Sequence, residues 1–302
     1  MIRTIIALFL RIVSNPLANV YQKKICETNS SLICNFYTYF ILGILCVPFA
    51  LKVDWVGLPK EFWFFAITAG LLCSVGNACL VKALQIGELS VLGPINSYKS
   101  VVGMIIAIFI LHEIPTLFGV LGVVLIIWGS WFVFDTQAEG FSFALFKRKD
   151  ILLRFTALVL MGIEAVLLKK VILLSSPVIS FMLWCWAGAF FALMLIFIFR
   201  KPLTKIKKGD ISKFAIVCSM LGIMQLTTNY VFENMQVGYA LALFQLSTLV
   251  NLFFGWRFFH ETDMKKKIIG TLIMVVGSVL IIFTYNYLKR RGCKETSPLW
   301  YA

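Results

Sequence analysis

Residues 89–134 read LSVLGPINSYKSVVGMIIAIFILHEIPTLFGVLGVVLIIWGSWFVF, two apolar segments joined at a His-Glu pair. Residues 258–283 read FFHETDMKKKIIGTLIMVVGSVLIIF and repeat this pattern. His260-Glu261 corresponds to His112-Glu113, and the glycines and the serine that follow recur at the same spacing. Self-similarity over such a stretch indicates that the chain is an internal duplication.

The composition predicts a membrane protein. The chain has 302 residues, of which 60% are hydrophobic and 14% charged, whereas about 25% of the residues of a soluble protein are charged. The apolar residues form blocks of about 20, the length of helix that crosses a bilayer, and lipid requires such blocks to be helical. We therefore predict an all-α integral membrane protein with ten transmembrane helices. The predicted spans are 2–22, 31–51, 62–84, 89–111, 116–134, 151–171, 177–199, 211–233, 238–258 and 267–287.

The duplication divides these spans into two sets of five. The predicted repeats are residues 1–141 and 142–288, followed by a short basic tail, 289–302. Because each repeat has an odd number of spans, the second crosses the membrane in the opposite direction to the first. Inverted repeats with a site at their interface, near the middle of the membrane, are typical of secondary transporters.

Several other classes of protein are disfavoured. The net charge of +14 comes from short basic runs between apolar blocks, which favours contact with anionic lipid headgroups over nucleic acid. The eight cysteines are scattered without a CxxC pair and there are two histidines, so we expect no metal site and no cofactor. The chain has no GxxxxGK[ST] motif for an ATP-driven pump. The loops lack the clustered polar groups of a membrane enzyme.

Polar residues within the spans mark the predicted binding site, because a charge inside a membrane normally faces a partner or a wet cavity. Three ionisable residues lie well inside spans: Arg11, Lys99 and Glu164. Arg11, Asn15 and Asn19 are spaced by four residues and therefore share one face of span 1. The other predicted substrate-binding residues are Asn77, Asn96, Trp184, Asn229 and Gln245.

Structural roles compete with these assignments. Lys99 could form an ion pair with Glu164 without touching a solute. Arg11 could extend along its helix to the membrane surface. Glu164 could pair with Lys169 or Lys170, and any single asparagine could join two helices by hydrogen bonds.

The repeated module also has features that we interpret structurally. Glu113 and Glu261 precede new helices and are predicted to cap them, with gating of the site as the alternative. The glycines of spans 5 and 10, such as Gly122 and Gly129, are predicted to let two helix backbones approach closely.

This module resembles that of the drug/metabolite transporter superfamily, EamA type. Its elements here are Ala83-Leu84 late in span 3, Pro94 early in span 4, His112-Glu113 at the turn, and Gly119, Gly122 and Gly129 in span 5. The sequence departs from the family pattern in having histidine where the family has glycine before both glutamates. The resemblance implies two five-helix repeats and cytoplasmic termini. Because basic loops dominate the face opposite the termini, the positive-inside rule gives the reverse orientation.

The favoured function is a secondary active transporter of a small polar metabolite, either amino acid-like or anionic, that works by alternating access. We expect export coupled to a proton or solute gradient, in the plasma membrane, most simply a bacterial inner membrane. The expected partners are the solute, the lipid bilayer and protons, and the protein is a monomer or homodimer. The alternatives are a lipid-linked sugar flippase and a non-transporting assembly subunit.

Overall fold

The structure, a computed structural model, describes residues 2–87, 98–134, 148–203, 206, 208–247, 249–250, 253–254, 257 and 264–290. Over these residues the chain forms ten α-helices and one 3-10 turn, without a strand. The helices are α1 (Ile2–Cys26), α2 (Ser31–Ala50), α3 (Lys60–Ile86), α4 (Tyr98–Ile110), α5 (Leu117–Phe134), α6 (Lys149–Leu174), α7 (Pro177–Ile198), α8 (Ile211–Asn234), α9 (Val237–Phe244) and α10 (Met264–Arg290). The predicted all-α fold with ten helices is confirmed.

Six of these helices, namely α1, α2, α3, α6, α7 and α8, are long and apolar enough to cross a membrane. Shorter apolar segments lie in α4, α5 and α10. Span 9 was predicted to be continuous over 238–258, but α9 ends at Phe244. The next backbone N–H groups, of Gln245 and Leu246, donate to carbonyls three residues back at 2.9 and 3.1 Å, the tighter turn that often closes a helix. The predicted repeat boundary at 141–142 lies outside the described residues.

Helix packing follows the duplication. Helix α5 packs against α10, α2 against α7, and α4 against α9, so these six helices each meet their counterpart from the other repeat. The two largest other contacts are those of α3 with α6 and of α1 with α8, and each takes the place of the other when the repeats are interchanged. Helix α3 also packs against α7, a contact that is weaker between the equivalent helices α8 and α2. The bundle therefore has an approximate twofold relation between its repeats, and the space at its centre belongs to both.

The glycines of α5 and α10 bring these two helices together, as the sequence predicts. A Cβ on Gly122 would lie 2.7 Å from the carbonyl oxygen of Gly277, and a Cβ on Gly277 would lie 2.6 Å from that of Gly122. A Cβ on Gly129 would overlap the backbone of Gly270. Larger side chains at these positions would force the two backbones apart.

A polar cluster connects the repeats at the face opposite the chain termini. The carboxylate of Asp210 accepts hydrogen bonds from Thr28 at 3.0 Å and Asn29 at 2.9 Å, and it pairs with Lys213 at 2.8 Å. The hydrogen bond from Lys213, followed by that from Asn29, lowers the pKa of Asp210 below its ordinary value. The charged carboxylate therefore stabilises this contact between the α1–α2 loop and the start of α8.

Candidate functional site

A cavity lies at the centre of the bundle, and the space between its lining atoms, including the part open to solvent, is about 630 Å³. Residues from eight of the ten described helices line it, and only α5 and α10 do not contribute. Both repeats therefore form its wall. The predicted binding residues that line it are Arg11, Asn15, Asn19, Asn77, Lys99, Glu164 and Trp184.

Arg11 is held inside the bundle and does not extend to the membrane surface. Its side chain is buried, with an exposed fraction of 9% for the residue. Its Nε donates to Thr228 Oγ1 at 2.8 Å, and the guanidinium carbon lies 4.6 Å from the centre of the Phe244 ring. Its Nη1 is buried without a hydrogen-bond partner among the described residues. The second repeat thus fixes the position of this arginine, which lines the cavity and keeps one buried nitrogen without a hydrogen bond.

Glu164 projects from α6 into the same cavity. It has an exposed fraction of 5%, and its Oε1 has no hydrogen-bond partner in the described part of the chain. Among those residues no ion pair within 4.0 Å joins Glu164 to Lys99, although the two interact electrostatically. Lys169 does not pair with Glu164 either, because its partner is Glu113. Among the described residues Glu164 therefore forms an ion pair with none of the three lysines that the sequence offers as partners, Lys99, Lys169 and Lys170.

The two repeats line the cavity with different chemistry. Asn15, Asn19 and Gln22 line it from α1, at fixed intervals before Lys23. The residues at the same intervals before Lys169 in α6 are Met161, Ala165 and Leu168. All of them line the cavity, so equivalent positions carry carboxamides in one repeat and apolar side chains in the other.

An aromatic cluster closes part of the cavity between α2, α3 and α7. The hydroxyl of Tyr39 lies 3.3 Å from Cys73 Sγ, and Trp184 Nε1 donates to the same sulfur at 2.9 Å. The rings of Tyr39 and Trp184 meet edge to face with centroids 4.7 Å apart. Nearby, Asn77 donates to Asn35 of α2. Tyr39 was missed by the sequence analysis because nothing in the sequence separates it from the other aromatics of span 2.

Two of the predicted residues lie outside the cavity wall. Asn229 is fully buried, where it donates to the Pro177 carbonyl at 2.9 Å and accepts from Gln225 Nε2 at 2.9 Å. Gln245 donates to the Leu241 carbonyl at 3.4 Å, within the turn after α9. Gln225 lines the cavity in place of Asn229, one helical turn earlier on α8. Asn96 and Glu261 lie outside the described residues.

Glu113 does not cap the helix that follows it, contrary to the prediction. One of its oxygens accepts from Lys169, and Oε2 accepts from the backbone N–H of Val237 at 2.8 Å. It therefore caps α9 of the other repeat, since Val237 is the first residue of that helix. The start of α5 is capped by Thr116, whose hydroxyl accepts from the Gly119 N–H at 3.1 Å.

The fold and the cavity together define a class: integral membrane proteins of two five-helix repeats with a polar site between them, the architecture of secondary transporters. A model of the EamA-like transporter family matches the chain twice, over residues 2–135 and 148–283. The chain belongs to this family, part of the drug/metabolite transporter superfamily, whose members are membrane transporters of small solutes and not enzymes.

Solved structures share the fold. A crystal structure described only as "Crystal structure of protein" is similar over 95% of this chain and 98% of its own, with a TM-score of 0.70 and 15% sequence identity. At this identity the likeness concerns the fold alone. No curated protein matches the sequence.

Proposed function

We propose that the protein is a secondary active carrier that exports a small polar metabolite, either an organic anion or an amino acid-like zwitterion. The solute binds in the central cavity, and the repeats move against each other to expose it to one face and then to the other. A proton or solute gradient drives the cycle, in a plasma membrane such as the bacterial inner membrane.

The unpartnered polar atoms of Arg11 and Glu164 carry this proposal. Each lies in the wall of a cavity inside a membrane protein, where an unsatisfied polar group costs about 1–3 kcal/mol and more when it is charged. A fold that needed these groups only for stability would pair them, as it pairs Glu113 with Lys169. A bound solute that supplies the missing hydrogen bonds offsets the cost, which favours a ligand-binding role.

The charges of the cavity favour an anionic group on the solute. Arg11 and Lys99 provide two positive charges and Glu164 one negative charge. A carboxylate or phosphate fits near the cations, and guanidinium is well suited to both because its donors form a planar fork. An amine on the same solute would pair with Glu164.

The difference between the repeats favours one orientation of the solute. Carboxamides along α1 offer both donors and acceptors, whereas the equivalent wall of α6 is apolar and can cover only an apolar part of the solute. A solute with a polar edge and a small apolar group would match both walls.

Transport by the purified protein in proteoliposomes tests this function. Preloaded vesicles should accumulate labelled solute from a metabolite mixture by saturable counterflow, and an imposed pH gradient should change its rate if protons are coupled. Arg11→Met, Lys99→Ala and Glu164→Gln should each abolish transport while the protein still inserts. Glu233→Gln, at an exposed carboxylate of α8, is the matched control and should transport at the parent rate.

Two outcomes would reject the proposal. Wild-type transport in Arg11→Met and Glu164→Gln would remove the site assignment. A parent protein that carries no member of the mixture would favour a non-transporting subunit.

A further inference from the structure

A buried polar node joins three chain segments at the face of the bundle that carries the termini. The Glu113 carboxylate, between α4 and α5, accepts from Lys169 of α6 and from the backbone N–H of Val237. Lys169 Nζ also donates to the carbonyl of Met235 at 2.8 Å. Glu113 has an exposed fraction of 7% and Lys169 of 6%. Both charges are therefore paired and screened from solvent.

The node lies at one end of the cavity. Lys169 follows Leu168, which lines the cavity, and stands five residues beyond Glu164, about 7.5 Å along α6. Phe232 also lines the cavity and precedes Met235 by about one turn of α8. Helices α4, α6 and α8 all end at this face, where α9 begins. The node thus lies between the cavity lining and the terminal face.

One contact of Lys169 lies within its own repeat, and the other joins the two repeats. In the first repeat, Lys23 Nζ donates to the carbonyl of Gly87 at 2.9 Å. Gly87 is the residue after α3, as Met235 is the residue after α8. A lysine bound to this carbonyl therefore occurs within each repeat and need not change when the repeats move as units. The bonds of Glu113 to Lys169 and Val237 instead cross from one repeat to the other.

We propose that Glu113 and Lys169 form a latch that holds the cavity closed toward the terminal face and that breaks whenever the carrier opens there. The two residues act on the conformational step and not on solute binding. This inference rests on the proposed carrier function, because only alternating access requires that end to open. Separation of the repeats leaves two buried charges without partners, so the closed state is favoured until other contacts replace the pair.

Access to the cavity from each face tests the latch without any transport measurement. A Met161→Cys reporter in the cavity wall, with the native cysteines replaced, is reacted in sealed vesicles with a membrane-impermeant maleimide supplied to one face. Glu113→Gln keeps an oxygen for the Val237 N–H and removes only the charge. Lys169→Gln removes the other charge. Lys170→Gln is the matched control, because Lys170 is the adjacent lysine and takes no part in the node.

We expect labelling from the terminal face to rise by about tenfold or more in Glu113→Gln and Lys169→Gln, as the open state gains population. Lys170→Gln should label like the parent. Labelling equal to the parent in both latch variants, in protein that stays monodisperse, would overturn the proposal. Because the readout is access, the absence of transport in the parent would reject the proposed function without altering this result.

Discussion

The same substitution at two buried carboxylates should have different consequences for the stability of the protein. Glu164 and Glu113 have similar exposed fractions, 5% and 7%. Glu113 accepts bonds from Lys169 and a backbone N–H, whereas Glu164 has an oxygen without a partner among the described residues. If Glu164 binds a solute and Glu113 holds the two repeats together, Glu→Gln at each position separates these two roles.

The magnitudes follow from these surroundings. Glu113→Gln leaves Lys169 buried without its counter-charge, which costs about 3–5 kcal/mol. Glu164→Gln removes the attraction between the Glu164 carboxylate and Lys99. Two unit charges 4 Å apart attract each other by about 4 kcal/mol at an effective dielectric constant of 20. Lys99 lies beyond that ion-pair distance from Glu164, so the attraction that is lost is weaker. Removing the charge also ends a desolvation penalty of several kcal/mol. These two terms oppose each other, so Glu164→Gln should lower the stability much less than Glu113→Gln does.

The apparent melting temperature of the detergent-solubilised protein, measured without solute, compares the two variants. Glu113→Gln should melt clearly below the parent, and Glu164→Gln should melt much closer to it while losing transport. The reasoning fails if Glu164→Gln is destabilised as much as Glu113→Gln, because Glu164 would then be a structural residue.

Three further predictions concern the fold. Gly119→Ala places a methyl group against the fully buried ring of Tyr239 and should lower the stability by about 1–3 kcal/mol. Gly222→Ala is the control, because the nearest side-chain atom is 3.4 Å away, and it should be neutral or slightly stabilising in the same melting assay. His112 has φ 55°, so His112→Gly should stabilise the turn by about 0.5–1 kcal/mol, and an unchanged or lower melting temperature would contradict this. Because the pKa of Asp210 is lowered in the fold, the ionised carboxylate stabilises the folded protein fully above about pH 4, and this stabilisation declines as the pH falls through the lowered pKa. Melting temperatures measured from pH 6 to 3 should show this loss in the parent and not in Asp210→Asn.

Much of the site could be predicted from the sequence because a membrane limits where charges can lie. Arg11, Lys99 and Glu164 were identified from their position within apolar spans, and the structure brings all three to one cavity. The four-residue spacing on α1 also identified the wall formed by Asn15 and Asn19. Whether these residues bind a solute stays a prediction.

Other assignments failed because periodicity fixes the face of a helix but not what that face meets. Gln225 and Asn229 share one stripe of α8, yet only Gln225 lines the cavity, while Asn229 binds the start of α7. Tyr39 contributes to the wall from a span that contains no charged residue. A rotation or shift of a helix by a fraction of a turn decides which of its side chains line the cavity.

The sequence alone determined that the chain is helical, that it crosses the membrane as ten segments, and that these form two related sets. Lipid requires each apolar segment to satisfy its own backbone, so length and hydropathy were enough. Only the tertiary structure decided that Glu113 pairs with Lys169 of the other repeat and that Arg11 and Glu164 keep unpartnered atoms in the cavity wall. Those pairings depend on how helices distant in sequence are placed against one another, and no local pattern encodes that placement.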